Sequence, residues 1–341
     1  MKTPSANTPL PERAGRGGPS LTPSGRPGYG LPVVRTTLLA ALLLILALGA
    51  PVSERLLEAA PVPALAEAST GEREVQSLAA AWPDRIVETA QRSSDWMLRI
   101  GDDWFAWAHG RLLPEADRAQ WQEFAALPFY PYPLELPPLP ELDEQTASRL
   151  RQRVRDNQMN PPRRNEAFLS ALLQAPNRTE TEARLISVEV AGFTVTVHER
   201  LREPLGLAGK ELMSLRLTDP DVAAFLKGIR EMNGYNYRFV EGTRSRSFHS
   251  YGLAIDLIPK SYKGRNAYWR WAMTETPDWW TIPYAKRWML PLPVVQAFEH
   301  QGFVWGGKWL YFDTMHFEYR PEILLLARQR AAAPTVLAPQ S

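Results

Sequence analysis

Two short segments that lie far apart in the chain carry residues able to bind one metal ion. The first runs from Ser247 to Asp256 and includes His249, and the second runs from Asp313 to His316. Two imidazoles and one carboxylate form a ligand set that suits zinc, and three protein ligands leave a fourth position open, as in catalytic sites. The fold must therefore bring these two segments together.

Chain geometry constrains the first segment further. His249 and Asp256 are seven residues apart, which in an extended chain is roughly 23 Å and too far for one metal ion. The segment must fold back, and Gly252 permits a tight reversal. Residues 253–258 then alternate as a buried strand that places Asp256 on one face.

The second segment suggests a strand that begins at His316. Alternation over residues 316–320 places His316 and Glu318 on the same face. Asp313 lies three residues before His316, so on a helical turn both side chains would share one side. A carboxylate beside a metal-bound water is suited to act as a general base. Alternatively, Asp313 caps the turn and Glu318 is a surface residue of the strand.

The order of these residues resembles a known family of zinc peptidases. Ser-x-His-x-x-Gly-x-Ala-x-Asp followed by Asp-x-x-His is similar to the D-alanyl-D-alanine carboxypeptidase and L-alanyl-D-glutamate peptidase family of peptidoglycan enzymes. Vancomycin-resistance carboxypeptidases and phage endolysins belong to that family, and the hedgehog signalling domain has a related zinc fold. The resemblance extends from about Arg184 to Leu326, and its further motifs are residues 242–244, 268–271, 303–309 and 316–321.

The resemblance implies a role for each matched position. His249, Asp256 and His316 would bind Zn²⁺, and Asp313 would be the catalytic base. Arg244 would stabilise the scissile carbonyl oxygen, although Arg246 could take that role instead. The other predicted positions are Arg246, Ser247 and Tyr251 for substrate binding and Glu318 for orienting a metal ligand. The arginines could instead be solvated loop charges, and Ser247 could form a turn.

Patterning over residues 181–330 predicts an α+β domain, an antiparallel sheet that carries the zinc site with flanking helices. Residues 185–197 suggest a hairpin around Ala191-Gly192. We expect helices over 219–232 and 291–300 and a strand over 237–240. The segment 259–290 is dense in tyrosine and tryptophan, so part of it belongs to the core and part could wall a groove for a glycan or a stem peptide.

The rest of the chain precedes or follows this domain. Residues 1–35 have the composition of a disordered cytoplasmic tail, and residues 36–53 carry no charge and predict a signal anchor or signal peptide in the cytoplasmic membrane. Residues 54–180 are predicted to be helical and Pro-rich, with one apolar helical stripe. That stripe consists of Trp96, Ile100, Trp104 and Trp107. Residues 331–341 form a predicted disordered tail.

Composition agrees with an exported protein. A formal net charge of +2 argues against nucleic acid as a partner, and the absence of cysteine excludes disulfides and thiolate metal sites. The prediction is a zinc peptidase of peptidoglycan stem peptides, membrane-anchored with its catalytic domain outside the cytoplasm, or secreted if cleaved. Carboxypeptidase and endopeptidase activities both remain open. The alternative is an inactive zinc-containing module that binds peptidoglycan.

Overall fold

The computed structural model describes residues 70–92, 95–127 and 129–332. The predicted cytoplasmic tail and the signal segment at residues 36–53 lie outside this range, as does most of the predicted C-terminal tail. No helix among the described residues is both long enough and apolar enough to cross a membrane.

The described chain is an α+β structure with three antiparallel sheets. The strands are β1 (Ile86–Arg92), β2 (Asp95–Ile100), β3 (Asp103–Ala106), β4 (Leu113–Pro114), β5 (Leu185–Val190), β6 (Phe193–His198), β7 (Ile229–Asn233), β8 (Ala254–Pro259), β9 (Phe303–Trp305) and β10 (His316–Tyr319). The α-helices are α1 (Thr70–Ala81), α2 (Glu144–Met159), α3 (Ala167–Leu173), α4 (Arg178–Glu182), α5 (Arg202–Thr218), α6 (Pro220–Gly228), α7 (Trp269–Met273), α8 (Leu292–Glu299) and α9 (Pro321–Ala332). Short 3₁₀ helices connect several of these elements.

Residues 86–114 form a four-stranded meander, β1-β2-β3-β4, so the helical prediction for this stretch is wrong. Trp96 lies on β2 and Trp104 on β3, and the two strands are joined by a turn in which Gly101 has a φ of +59°. The spacing of the aromatic residues fits a helix, but the same stretch also alternates with the period of two that strands require. Antiparallel pairing buries Leu98 and Ile100 against the core.

The predicted hairpin is confirmed as β5 and β6, paired from Leu185↔His198 to Val190↔Phe193. Ala191 and Gly192 both have positive φ, as two-residue hairpin turns require. The predicted helix at 219–232 is shorter than expected, because α6 ends at Gly228 and the chain continues as β7. The predicted strand at 237–240 is absent, and only an isolated bridge joins Phe239 to Arg246.

The third sheet has the order β7-β8-β10-β9, and we call it the metal-bearing sheet. The predicted strands at 253–258 and 316–320 are its two central members, β8 and β10. The predicted helix at 291–300 is α8, whose Val294, Val295 and Phe298 are fully buried against the sheet side of the core. One hydrophobic core includes residues of this sheet, of α1 and of the meander. Burial of these apolar side chains in a single contiguous core stabilises the domain.

Residues 129–140, which we call the Pro-rich strap, form neither helix nor strand, in agreement with the sequence. The strap packs against α8 and β9. Tyr132 is buried, its hydroxyl donates to Glu299 and accepts from the Trp305 amide, and the Lys308 ammonium donates to the Leu134 carbonyl at 2.7 Å. These buried polar groups are mutually satisfied, which fixes the strap in place.

Candidate metal centre

Strand pairing brings Asp256 and His316 together. The two residues are direct partners across β8 and β10, and side chains of directly paired residues lie on the same face of a sheet. Their side chains contact each other, with His316 Nδ1 at 2.8 Å from Asp256 Oδ1. Sequence alternation therefore identified the correct face of both strands.

His249 reaches this pair from a short 3₁₀ helix, Phe248–Tyr251, that precedes β8. The Ser247 hydroxyl caps that helix by accepting from the His249 amide at 3.3 Å. Gly252 then reverses the chain with a φ of +67°, and a Cβ at this position would lie 2.5 Å from the backbone nitrogen of His198. Only glycine fits such a turn, as the sequence suggested.

The three side chains offer donor atoms at distances suited to one zinc ion. His249 Nε2 lies 3.2 Å from Asp256 Oδ2 and 3.2 Å from His316 Nδ1, while His316 Nδ1 lies 2.8 Å from the other carboxylate oxygen, Asp256 Oδ1. Two ligands about 2.0–2.1 Å from a tetrahedral zinc are about 3.3 Å apart. Two imidazoles and a carboxylate in this triangle therefore fit zinc as the sequence predicted, and the ligand role itself stays a prediction.

The remaining nitrogen of each histidine is held by a hydrogen bond. His249 Nδ1 lies 2.6 Å from the Gly234 carbonyl oxygen, and His316 Nε2 lies 3.2 Å from Glu318 Oε1. When His249 Nδ1 and His316 Nε2 donate to these acceptors, the lone pairs of the two rings are on His249 Nε2 and His316 Nδ1. These two atoms face Asp256. Metal-binding histidines are commonly oriented in this manner.

Electrostatics within the cluster are dominated by burial and by mutual pairing. Burial alone would raise the pKa of Asp256, but His249 and His316 hold the pKa of this carboxyl far below its usual range. Burial alone would lower the pKa of His316, but its hydrogen bonds to Asp256 and Glu318 hold it well above the usual value. The carboxylates of Asp256 and Glu318 therefore stabilise positive charge within the cluster.

Asp313 lies in the turn before β10 and lines the same cavity as Asp256 and His316. Burial raises the pKa of the Asp313 carboxyl to about 7, although the neighbouring His316 lowers it. Its Oδ1 atom is buried and has no hydrogen-bond partner in the part of the chain that the structure describes. A carboxylate with a free oxygen and such a pKa could exchange a proton near neutral pH.

The cavity next to this cluster has a volume of about 600 Å³, and we call it the aromatic cavity. Its aromatic lining is Tyr262, Tyr268, Trp269, Trp271, Trp309 and Tyr311. Other aromatic residues of the 259–290 segment, Trp279, Trp280 and Trp288, are buried in the core. The segment therefore divides between core and groove, as the sequence suggested.

Three predicted substrate-binding residues do not line this cavity. Tyr251 is fully buried and donates its hydroxyl to Glu166. Arg246 is buried on the Tyr251 ring, 3.9 Å from its centroid, and Arg244 is exposed with its Nε 3.2 Å from the Pro161 carbonyl oxygen. Proximity to His249 in the sequence did not determine where these side chains point, and their predicted roles in the site stay predictions that the cavity lining does not support. Ser247 does line the cavity.

Two arginines line the cavity, Arg238 and Arg270, and sequence reasoning named neither as a site residue. Arg238 is exposed, and its positive charge lowers the pKa of Asp313. Its position depends on the path of the loop between β7 and the 3₁₀ helix, where Ser247 donates its amide to the Arg238 carbonyl at 3.0 Å. Strand alternation could not have identified this residue, because the loop has no periodic pattern.

The upstream region also contributes to the site. Val154 and Asn157 of α2 line the aromatic cavity, and α2 is attached by Arg151, whose Nη1 lies 2.5 Å from Asp278 Oδ1. From the strap, Tyr130 packs edge-on against Trp309, and the Trp309 ring in turn contacts His316. Residues of α2 and of the Pro-rich strap, which fall within the predicted linker region, therefore contribute to the site.

Comparison with known proteins gives two family matches. Residues 241–319 match a family model described as D-alanyl-D-alanine carboxypeptidase, and residues 74–129 match a domain of unknown function. The first match includes the cluster and Asp313 and supports a relation to zinc-dependent peptidases at the level of the family. It is shorter than the resemblance noted from the sequence. No curated protein and no solved structure matches the chain.

Proposed function

We propose that this protein is a zinc-dependent peptidase that hydrolyses peptidoglycan stem peptides. The observation that carries the proposal is the triangle of His249, Asp256 and His316 with Asp313 on the same cavity. The family match over residues 241–319 supports the reaction class. Zinc bound by the three residues would supply a Lewis acid that polarises a carbonyl group and makes water more acidic.

Asp313 is the base in this proposal. Its unpartnered Oδ1 accepts a proton from the attacking water, and the same carboxyl group then returns the proton to the leaving amine. A pKa raised to about 7 by burial suits both steps, because the group can hold a proton without binding it permanently. Asp313 therefore acts twice in one turnover.

Arg238 takes the role that the sequence gave to Arg244. Arg238 lines the cavity together with Asp256, and its positive charge acts on Asp313, so we assign its guanidinium to donate hydrogen bonds to the scissile carbonyl oxygen as negative charge develops there. Glu318 holds His316 Nε2 and so keeps the lone pair of Nδ1 directed towards Asp256.

For location, we propose a membrane-anchored or secreted enzyme of the bacterial cell envelope. Residues 36–53 carry no charge and are preceded by several basic residues. Protease treatment of spheroplasts tests this proposal, since digestion of the catalytic domain in intact spheroplasts is expected. Full protection would contradict it.

Incubation of purified muropeptides with the full-length protein, followed by mass spectrometry, tests the activity. The expected result is a cleaved stem peptide, with the activity lost in chelator and restored by zinc. If the zinc-loaded protein yields no product from any muropeptide but still binds them, the alternative of an inactive binding module is correct.

A further inference from the structure

A second cavity adjoins the metal centre on the side of His249. It has a volume of about 370 Å³, and we call it the polar cavity. Its lining is Thr194, Thr196, Met232, Asn233, Gly234, Tyr235, Asn236, Arg238, His249 and Asp256. The polar cavity and the aromatic cavity share Asp256 and Arg238, so the metal centre lies where the two cavities meet.

Strand β6 and the loop after β7 form the walls of the polar cavity, and backbone contacts hold them together. Thr194 and Thr196 are exposed on β6 while Val195 between them is buried, so strand alternation presents both hydroxyls on one side. The Tyr235 amide donates to the Thr196 carbonyl at 2.7 Å, which holds the loop after β7 against this strand. A Cβ on Gly234 would lie 2.1 Å from the same carbonyl oxygen, so this close approach requires glycine.

The chemistry of the polar cavity suits a peptide chain. Hydroxyl and amide side chains can both donate to and accept from peptide groups, and the volume falls at the lower end of the range of about 300–1,000 Å³ for ligand sites. Among the described residues that line it, Arg238 is the one cationic side chain of lysine or arginine type. The same guanidinium serves the scissile carbonyl in the proposed mechanism.

The aromatic cavity offers little more to a terminal carboxylate. Besides Arg238, its lining includes Arg270, whose guanidinium stacks on Trp269 at 4.7 Å and donates to the Glu241 carbonyl at 2.9 Å. A carboxypeptidase must accommodate the free carboxylate of the last residue, and burial of that charge without a dedicated cation is costly. A substrate whose chain continues on both sides avoids this cost.

We propose that the substrate crosses the metal centre as a continuous chain, with residues in the aromatic cavity on one side of the scissile bond and residues in the polar cavity on the other. This inference rests on the proposed peptidase function and makes the enzyme an endopeptidase. Thr196 is a specificity-determining residue for the part of the substrate that lies in the polar cavity.

The products from defined muropeptides provide the first test. Pentapeptide monomers that end in a free carboxylate and cross-linked dimers are incubated separately with the full-length zinc-loaded protein, and fragments are identified by mass spectrometry. The expected products carry two or more residues on each side of the cut. Release of a single terminal residue alone would overturn the inference and leave the peptidase function intact, whereas no cleavage of any substrate would overturn the peptidase function itself.

Filling the polar cavity provides the second test. Thr196→Trp is expected to lower kcat/KM on the cleaved substrate by at least about tenfold, because the ring occupies space that the substrate needs. Val87→Trp is the matched control, since Val87 is an exposed β-branched residue on β1 of the meander and lines neither cavity. We expect a change of less than about twofold for this control, as for most surface substitutions. Equal effects of the two variants, or full activity of Thr196→Trp, would overturn the assignment of the cavity.

Discussion

The meander β1–β4 and the metal-bearing sheet are both four-stranded and antiparallel, but they place their charged residues differently. In the meander, Arg99 pairs with Glu88 at 2.9 Å and Arg118 pairs with Asp95 at 2.8 Å, with a quarter or more of each side chain exposed. In the metal-bearing sheet, His316 and Glu318 project from β10 into the protein and contact each other there.

The difference shows which of the two sheets is destabilised by its charged residues. Exposed ion pairs remain solvated, and each contributes little to stability. Buried charges lose their hydration and must be paired and hydrogen-bonded, so a hydrophobic replacement would often be more stable. The concentration of ionisable groups around His316 therefore costs stability, and substitutions in the two sheets should differ in kind.

The largest contrast is expected between Asp256→Ala and Asp95→Ala. Loss of Asp256 removes a predicted ligand, so zinc binding and hydrolysis should fall by more than the roughly 100-fold that loss of an outer partner of a metal ligand causes. Zinc content by elemental mass spectrometry and activity on muropeptides measure both effects. Asp95→Ala removes a partner of Arg118 in the meander and should leave zinc content unchanged. Normal zinc content in Asp256→Ala would refute the ligand assignment.

The next contrast separates catalysis from metal binding. Asp313→Asn keeps the size of the side chain but removes the base, so kcat should fall by about 10²- to 10⁴-fold while zinc remains bound. Asp84→Asn is the matched control, because Asp84 pairs with Arg200 and neither residue lines the cavity. Steady-state kinetics at saturating zinc provide the measurement. Near-normal hydrolysis by Asp313→Asn would show that another group is the base.

Glu318 tests whether the buried pair with His316 serves the metal. Glu318→Gln should weaken zinc affinity by about 10- to 100-fold, since the His316 ring loses the anionic partner that orients it. Competition with a fluorescent chelator gives the dissociation constant. Glu88→Gln, which alters an exposed ion pair of the meander, is the control and should not change it. If both variants bind zinc equally well, Glu318 has a purely structural role.

In the sequence, His198 follows the meander and precedes the metal-bearing sheet, and it is a buried histidine that is not a predicted metal ligand. It therefore tests the effect of burial alone on the pKa of an imidazole. Burial lowers the pKa of this imidazole, while Nε2 is 3.2 Å from the Leu173 carbonyl oxygen. Because the unfolded state binds a proton more readily, stability should fall as the pH decreases below about 6.5, with a slope of at most about 1.4 kcal/mol per pH unit. Urea unfolding of zinc-loaded protein at pH 7.5 and 5.5 measures this loss. His198→Gln should show a smaller loss, and an unchanged loss would exclude His198 as its source.

The smallest effect belongs to the surface of the meander. Arg99→Ala breaks the pair with Glu88 and should change the free energy of unfolding by less than about 1 kcal/mol. Urea unfolding at low and high salt gives the value, and salt should reduce the difference from the wild type. A loss of several kcal/mol would mean that the two sheets do not differ as described.

Sequence patterns predicted the two central strands of the metal-bearing sheet because both are short and largely buried. The face of Asp256 and the reversal at Gly252 followed from elementary geometry. The meander was missed since Trp96 and Trp104 satisfy a helical spacing as well as strand alternation, and only pairing partners distinguish the two. Arg238 could not be found, because a loop without periodicity places it, and Tyr251 was assigned from its neighbours in sequence while its side chain points into the core.

The chain separations within the site have a consequence for the order of events during synthesis. Tyr132 of the strap can contact Glu299 only after a further 167 residues have been synthesised, and His249 can contact His316 only after a further 67 residues. Trp82 donates to Glu322, 240 residues away. Since a chain emerges from the ribosome beginning at its N-terminus, the early segments remain without these partners until the later segments have been synthesised. A nascent chain therefore cannot assemble the cluster of His249, Asp256 and His316 before His316 has left the ribosome.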